Sequence, residues 1–220
     1  MYQELPIVWQ KKLDEEIGYV RKNGFYLTNL TATESQKTLT LVMRLDHDVN
    51  DELYQFVNNS VPQVLKNKCF IQPANGYHIS LQWSKEYADA NLSVITERIG
   101  TYFRENPINF DLKILGLYPS DNNLFVILIP PQAGMITRIR KDMAEIFTEG
   151  NAIPKLQSDL DTLWLSTVRF VKQPTSEETE ELIKFLPKKT FDNVPVSEIC
   201  LAISDPFFRE DGREVLAEIK

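Results

Sequence analysis

His78 and Ser80 are the residues of this chain whose types and spacing could do proton-transfer chemistry together. They lie in Tyr77-His-Ile-Ser-Leu-Gln-Trp83, where apolar Ile79, Leu81 and Trp83 alternate with His78, Ser80 and Gln82. That period of two is a strand with one face inward, so His78 and Ser80 share the polar face. An imidazole titrates near neutrality and serves as acid or base, while a hydroxyl beside it can donate to an oxyanion such as a phosphate oxygen. Taken alone, such a histidine is more often hydrogen-bonded and inert. What surrounds it decides.

A second stretch has the same look. Leu163-Trp-Leu-Ser-Thr-Val-Arg-Phe170 is again strand-like and carries Trp164, Ser166, Thr167 and Arg169. Two registers are open. If Ser166 faces as Ser80 does, Trp164 stands where the histidine would be. If Thr167 is the facing hydroxyl, Leu165 takes that place and Arg169 turns to the same side. The internal repeat favours Ser166. Trp164 divides evenly between core and base-stacking roles, and Arg169 reads as an ion-pair partner or, more sharply, a phosphate ligand. The other histidine, His47, sits among aspartates and reads as solvated, as does Lys85 beyond the first strand.

The elements that must position these residues recur in order. A strand over Thr38–Leu45 leads to a helix with Leu53, Phe56, Val57 and Val61 on one face. After the His78 strand come a helix over Asp89–Glu105 and a hairpin of Phe110–Leu117 with Leu124–Ile129. A helix over Gly134–Gly150 follows. Then the pattern returns: the Ser166 strand, a helix opened by Thr175-Ser-Glu-Glu, and a hairpin of Val196–Ile203 with Glu214–Ile219. Ser80 to Ser120 is 40 residues and Ser166 to Ser204 is 38, with Leu117-Tyr-Pro-Ser-Asp121 matching Leu201-Ala-Ile-Ser-Asp205. The spacing predicts a duplicated α+β architecture: two lobes of antiparallel sheet with flanking helices, their motif strands lining one groove. Residues 1–36, with Trp9, Leu13, Ile17 and Val20 at helical spacing, read as an N-terminal helical extension to a two-lobed domain over residues 37–220.

These residues resemble the 2H phosphoesterases, which include RNA 2′,3′-cyclic phosphodiesterases and 2′-5′ RNA ligase-like proteins. In that family His-hydrophobic-Ser/Thr-hydrophobic occurs once in each half of a bilobal α+β domain, and His78-Ile-Ser80-Leu81 matches it outright. The likeness spans about Thr38 to Lys220 and includes the Leu-x-x-Ser-Asp…Val-Leu-Ala-Glu-Ile ending. It implies His78 and Ser80 as catalytic residues, with Trp164, Ser166, Thr167 and Arg169 on the substrate. It also implies in-line cleavage of a phosphodiester, which needs a base on the attacking oxygen and an acid on the leaving one. No metal or other cofactor is expected. The chain departs from the family at the second motif, which has no histidine in either register. A positioned acid–base group contributes about 10²–10⁴-fold. The expectation is therefore an atypical member that binds, and weakly hydrolyses, a cyclic phosphate, nucleotide or RNA end. The alternative is an inactive nucleotide-, RNA- or protein-binding module of the same fold.

Bulk properties narrow this further. Of 220 residues, 43% are hydrophobic and 25% charged, enough for a real core, and the formal net charge is -7. An acidic chain is not expected to coat DNA by displacing counterions, but two or three donors can still hold one phosphate locally. Cys69 and Cys200 lack metal-ligand spacing and read as reduced thiols. Met1–Lys12 lacks the pattern of a targeting segment, and the longest apolar run, Leu124–Pro131, is too short for a membrane. A cytoplasmic protein acting on a small phosphate ester, with no membrane partner, is expected.

Overall fold

Period-two runs of branched residues and capped amphipathic stretches alternate along the chain, and each forms the element its pattern favours. The computed structural model describes residue 5 and residues 7–31, 37–155, 163–186 and 189–219. Among the described residues the α-helices are α1 (Ile7–Asn23), α2 (His47–Ser60), α3 (Leu92–Glu105), α4 (Met135–Glu149) and α5 (Ser176–Phe185). Eight strands are β1 (Thr38–Leu45), β2 (Cys69–Ile71), β3 (Ile79–Ser84), β4 (Asp111–Pro119), β5 (Asn123–Ile129), β6 (Leu163–Phe170), β7 (Thr190–Ser204) and β8 (Arg213–Ile219). Local chemistry sets the helix starts. Asp46 accepts from the Asp48 amide at α2, Asn91 from the Val94 amide at α3, and Thr175 with Glu178 closes a reciprocal capping box at α5. Helix α3 thus begins three residues after the expected Asp89, where the side-chain cap is.

All strand pairs are antiparallel, in the order β2-β6-β5-β4-β7-β1-β3, with β8 also on β7. The architecture is α+β and two-lobed, and one strand joins the lobes. The first part of β7 pairs with β4, and its second part, from Val196 to Ser204, pairs with β1. A bulge lies within the first part, between Phe191 and Val194, where Asn193 adopts a left-handed φ of 56°, a conformation asparagine tolerates. The hairpins are exchanged between the halves. The β4–β5 hairpin pairs with β6, the second motif strand, while β7–β8 joins β1 and so the sheet of β3. Each lobe is therefore built from both halves of the sequence.

Helices α3 and α4 pack on each other and on β8 and β3, while α2 meets β6. One apolar core runs through both lobes. A second, smaller one lies on the outer part of the β4–β5–β6 sheet. There Leu5, Trp9 and Leu13 cover Leu115, Tyr118, Phe125 and Ile127, with Trp164 at its edge. Among the described residues no helix is long and apolar enough to cross a membrane.

Candidate functional site

Both motif strands break their alternation at the same place. Leu41 pairs with Gln82 and Val42 with Ser80, so Leu81 is an extra residue in β3. Phe125 pairs with Ser166 and Leu124 with Val168, so Thr167 is the extra residue in β6. A β-bulge sets two residues of one strand against one of its partner, so two neighbours face inward together. Leu81 and Gln82 are both buried, as are Thr167 and Val168. Beyond each bulge the faces are exchanged. Trp83 returns to the side of His78 and Ser80, and Arg169 to the side of Trp164 and Ser166. His78 and Trp164, Ser80 and Ser166, and Trp83 and Arg169 are each 86 residues apart, so the duplication extends to the bulge itself.

This corrects strict alternation at two residues. Gln82 is not on the cleft face: it is 1% exposed, and its amide donates to the Trp83 and Lys155 carbonyls. Trp83 is not inward but lines the cleft. The two registers left open for β6 merge as well. Ser166 and Arg169 face the cleft together, while Thr167 is buried and donates to the Leu124 carbonyl at 2.9 Å. Leu165 is fully buried.

The resulting cleft, about 450 Å³, brings together His78, Ser80, Trp164, Ser166 and Arg169 from the two motif strands. Thr38, Thr40 and Ser204 add hydroxyl-bearing residues from β1 and β7, and Lys85, read from sequence as merely solvated, lies on its rim. His47 lies elsewhere, exposed on α2 with its Nδ1 3.3 Å from Asp51. Of the sequence-named site residues, Thr167 alone stays outside.

The His78 ring is held from behind. Its Nδ1 is 2.9 Å from the Gly76 carbonyl, which can only accept, so Nδ1 carries the hydrogen and Nε2 keeps its lone pair. Gln72, buried, donates to the same carbonyl and to that of Phe207 at 2.9 Å, tying this turn to the β7–β8 loop. A Cβ on Gly76 would lie 3.3 Å from the Phe207 oxygen, which accounts for glycine at this close approach. The Phe208 ring sits 4.8 Å from the imidazole. Phe208 has φ of 54°, unusual for a bulky residue, and its loop is braced: Asp205 accepts from the Phe207 and Arg209 amides and from the Arg209 guanidinium. Burial pushes the His78 pKa down to about 4; Arg169 and Arg44 push the same way, and the Gly76 hydrogen bond and Asp205 oppose them. The imidazole is thus neutral at pH 7, with the Nε2 lone pair unprotonated.

Arg169 reaches from β6 to the opposite lobe, where it donates to the Pro206 carbonyl at 3.3 Å and lies 5.1 Å over the Phe207 ring. Its Nε–H is buried without a protein partner, and burial lowers its pKa against the pull of Asp205. A guanidinium with unused donors beside a neutral imidazole is an arrangement for an anion with more than one oxygen. The Ser166 hydroxyl accepts from Asn123 at 3.1 Å, which leaves its own hydrogen for a ligand. Trp164 lines the cleft, but its ring has Trp9 at 6.3 Å, Arg140 at 5.7 Å and Lys12 at 5.9 Å. Among the described residues no group of three or more histidine, cysteine, aspartate or glutamate side chains gathers to hold a metal.

No family model and no curated protein matches the sequence. Solved structures do match. A structure described as that of a phosphoesterase is 12% identical with a TM-score of 0.50, covering 84% of this chain and 97% of its own. TT0787 of Thermus thermophilus is 13% identical with a TM-score of 0.50, covering 83% of this chain and 96% of its own. At these identities the likeness is one of fold. The chain has the bilobal α+β fold of the 2H phosphoesterases.

Proposed function

We propose that the cleft binds the phosphate of a small phosphate ester, namely a cyclic phosphate, a nucleotide or an RNA end, with His78 as its single acid–base group. The observation that carries this reading is the meeting of His78 and Ser80 from one lobe with Ser166 and Arg169 from the other in one cleft. Arg169 and the two serine hydroxyls would hold the non-bridging oxygens, and the neutral Nε2 of His78 would take the proton of the attacking oxygen. Position 164, the counterpart of His78, is a tryptophan and offers no proton to the leaving oxygen. A strained cyclic phosphate has a good leaving group and asks least of that missing acid. The chain is thus an atypical 2H phosphoesterase-like protein that hydrolyses slowly, and the tryptophan at position 164 equally supports a module that binds without turnover.

On this reading the body over residues 37–220 carries the site and residues 1–36 are an extension, of which the described Trp9 and Leu13 pack on Phe125 and Ile127. A net charge of -7 and thiols at Cys69 and Cys200, both pushed up to about 11 by burial, accord with a cytoplasmic protein that handles single phosphate esters rather than bulk DNA. Calorimetric titration with nucleoside 2′,3′-cyclic phosphates is the test. Binding by the wild type, weakened about tenfold or more by Arg169→Ala and by His78→Ala, is expected. Binding indifferent to both would place the ligand elsewhere.

A further inference from the structure

Helix α1 lies on the cleft side of the β4–β5–β6 sheet. Phe125 pairs with Ser166 across the β5–β6 ladder and Ile127 with Trp164, and directly opposed residues share a face. Ser166 and Trp164 line the cleft, so Phe125 and Ile127 belong to the same face, and Trp9 and Leu13 of α1 cover them. The helix is fixed there from several sides. Arg21 donates twice to Glu180 of α5, at 2.7 and 3.0 Å, and the Asp121 amide donates to Glu16 at 3.0 Å. Just beyond the helix, Phe25 stacks on Phe170 with ring centroids 3.9 Å apart.

One turn past Trp9, α1 brings Lys12 to the same wall. Its Nζ lies 5.1 Å from the Trp9 ring centroid and 5.9 Å from that of Trp164, the two rings being 6.3 Å apart. The ammonium therefore sits at the edge of the cleft, beside the position that corresponds to His78 in the other lobe. Its neighbour Lys11 pairs with Glu15, whereas Lys12 has no carboxylate partner among the described residues. Arg140 also approaches Trp164, at 5.7 Å, but is 6% exposed; Lys12 is half-buried, and its flexible four-carbon stem lets it turn toward a ligand. Arg169 serves the other side of the cleft, where it reaches Pro206 and Phe207.

Resting on the reading of the cleft as a phosphate-ester site, we propose that Lys12 is a phosphate-binding residue, supplied by α1 to the side of the cleft where a tryptophan stands in place of a histidine. Arg169 holds the phosphate from one side and Lys12 from the other. The positive charge that a protonated second histidine would bring comes here from a lysine on a different element. Its role is charge alone, which leaves His78 as the acid–base group and makes the extension a part of the site.

The experiment titrates the full chain calorimetrically with adenosine 2′,3′-cyclic phosphate and with inorganic phosphate, at low and high salt. Lys12→Met keeps an unbranched side chain and removes the charge; it should weaken both probes about tenfold at low salt, with a smaller loss at high salt. Lys12→Arg should recover most of the affinity. Lys11→Met, at an exposed position of the same helix, should leave both affinities within twofold, which separates a contact from the general loss of one positive charge. A Lys12→Met variant that binds within twofold of the wild type, or a loss matched by Lys11→Met, overturns the assignment of Lys12. The phosphate site itself stands in that case if Arg169→Ala still weakens binding. Binding indifferent to both Arg169→Ala and His78→Ala overturns the reading of the cleft, and the role of Lys12 with it.

Discussion

At the residue scale the site turns on a histidine kept neutral. Burial, with Arg169 and Arg44 adding to it, sets the His78 pKa at about 4, below the ordinary 6.5. The sign of its effect on stability follows. Between about 6.5 and 4 the unfolded chain takes up a proton that the folded chain refuses, so stability is full above 6.5 and falls as pH drops toward 4. Urea unfolding at pH 7 and at pH 4.5 should show that decline, and His78→Gln should reduce it. In the His47→Ala background the His78 ring signal should titrate near 4 by NMR; a midpoint near 6.5 would overturn the burial-driven shift. The acidic limb of kcat/KM for a cyclic phosphate should lie at the same value, because that ratio reports the free protein. His78 and Ser80 were legible in the sequence because residue type and period agreed on one face. The tautomer was not legible, since it depends on the Gly76 carbonyl and on Gln72 arriving from another turn.

At the element scale the bulges decide which side chains meet. The helices and strands were readable because hydrophobic period, caps and turn residues all agreed, as at the Thr175–Glu178 box and the Tyr118–Asn123 turn. The bulges were not readable by alternation, which a single extra residue reverses. Trp83 was read as inward and Gln82 as outward for that reason. A signal was nevertheless present: the 86-residue offset that joins His78 to Trp164 also joins Trp83 to Arg169. The bulge in β6 makes Thr167 a buried, structural residue and Ser166 a cleft-facing one, and the two can be told apart. Thr167→Val keeps the branched shape but strands the Leu124 carbonyl, so it should cost about 1–2 kcal/mol in urea unfolding and leave ligand affinity within twofold. Ser166→Ala should do the reverse, with stability nearly constant and weaker binding. If Thr167→Val were the variant that lost the ligand, the placement of the β6 bulge would be wrong.

At the scale of the whole molecule, the exchange of hairpins and the continuous β7 bind the lobes into one body whose cleft departs from its twofold plan at two matched pairs, His78 with Trp164 and Trp83 with Arg169. The general twofold plan was legible because the repeat was nearly in step; the exchange was not, because pairing between distant strands leaves no local mark. The asymmetry yields the sharpest test. Position 164 faces the cleft at the counterpart of His78, so Trp164→His should supply the missing acid and raise hydrolysis of a 2′,3′-cyclic phosphate, by up to about 10²–10⁴-fold if the geometry is matched. The substitution also removes a ring that packs on Trp9, so some loss in melting temperature should accompany the gain. Leu165→His puts an imidazole at a fully buried position and should destabilise the fold without helping turnover. Combining Trp164→His with His78→Ala should forfeit the gain, because each imidazole serves a different oxygen of the phosphate. A folded, ligand-binding Trp164→His variant with no gain in rate would show that the second histidine is not what limits this cleft, and would favour the binding module over the slow enzyme.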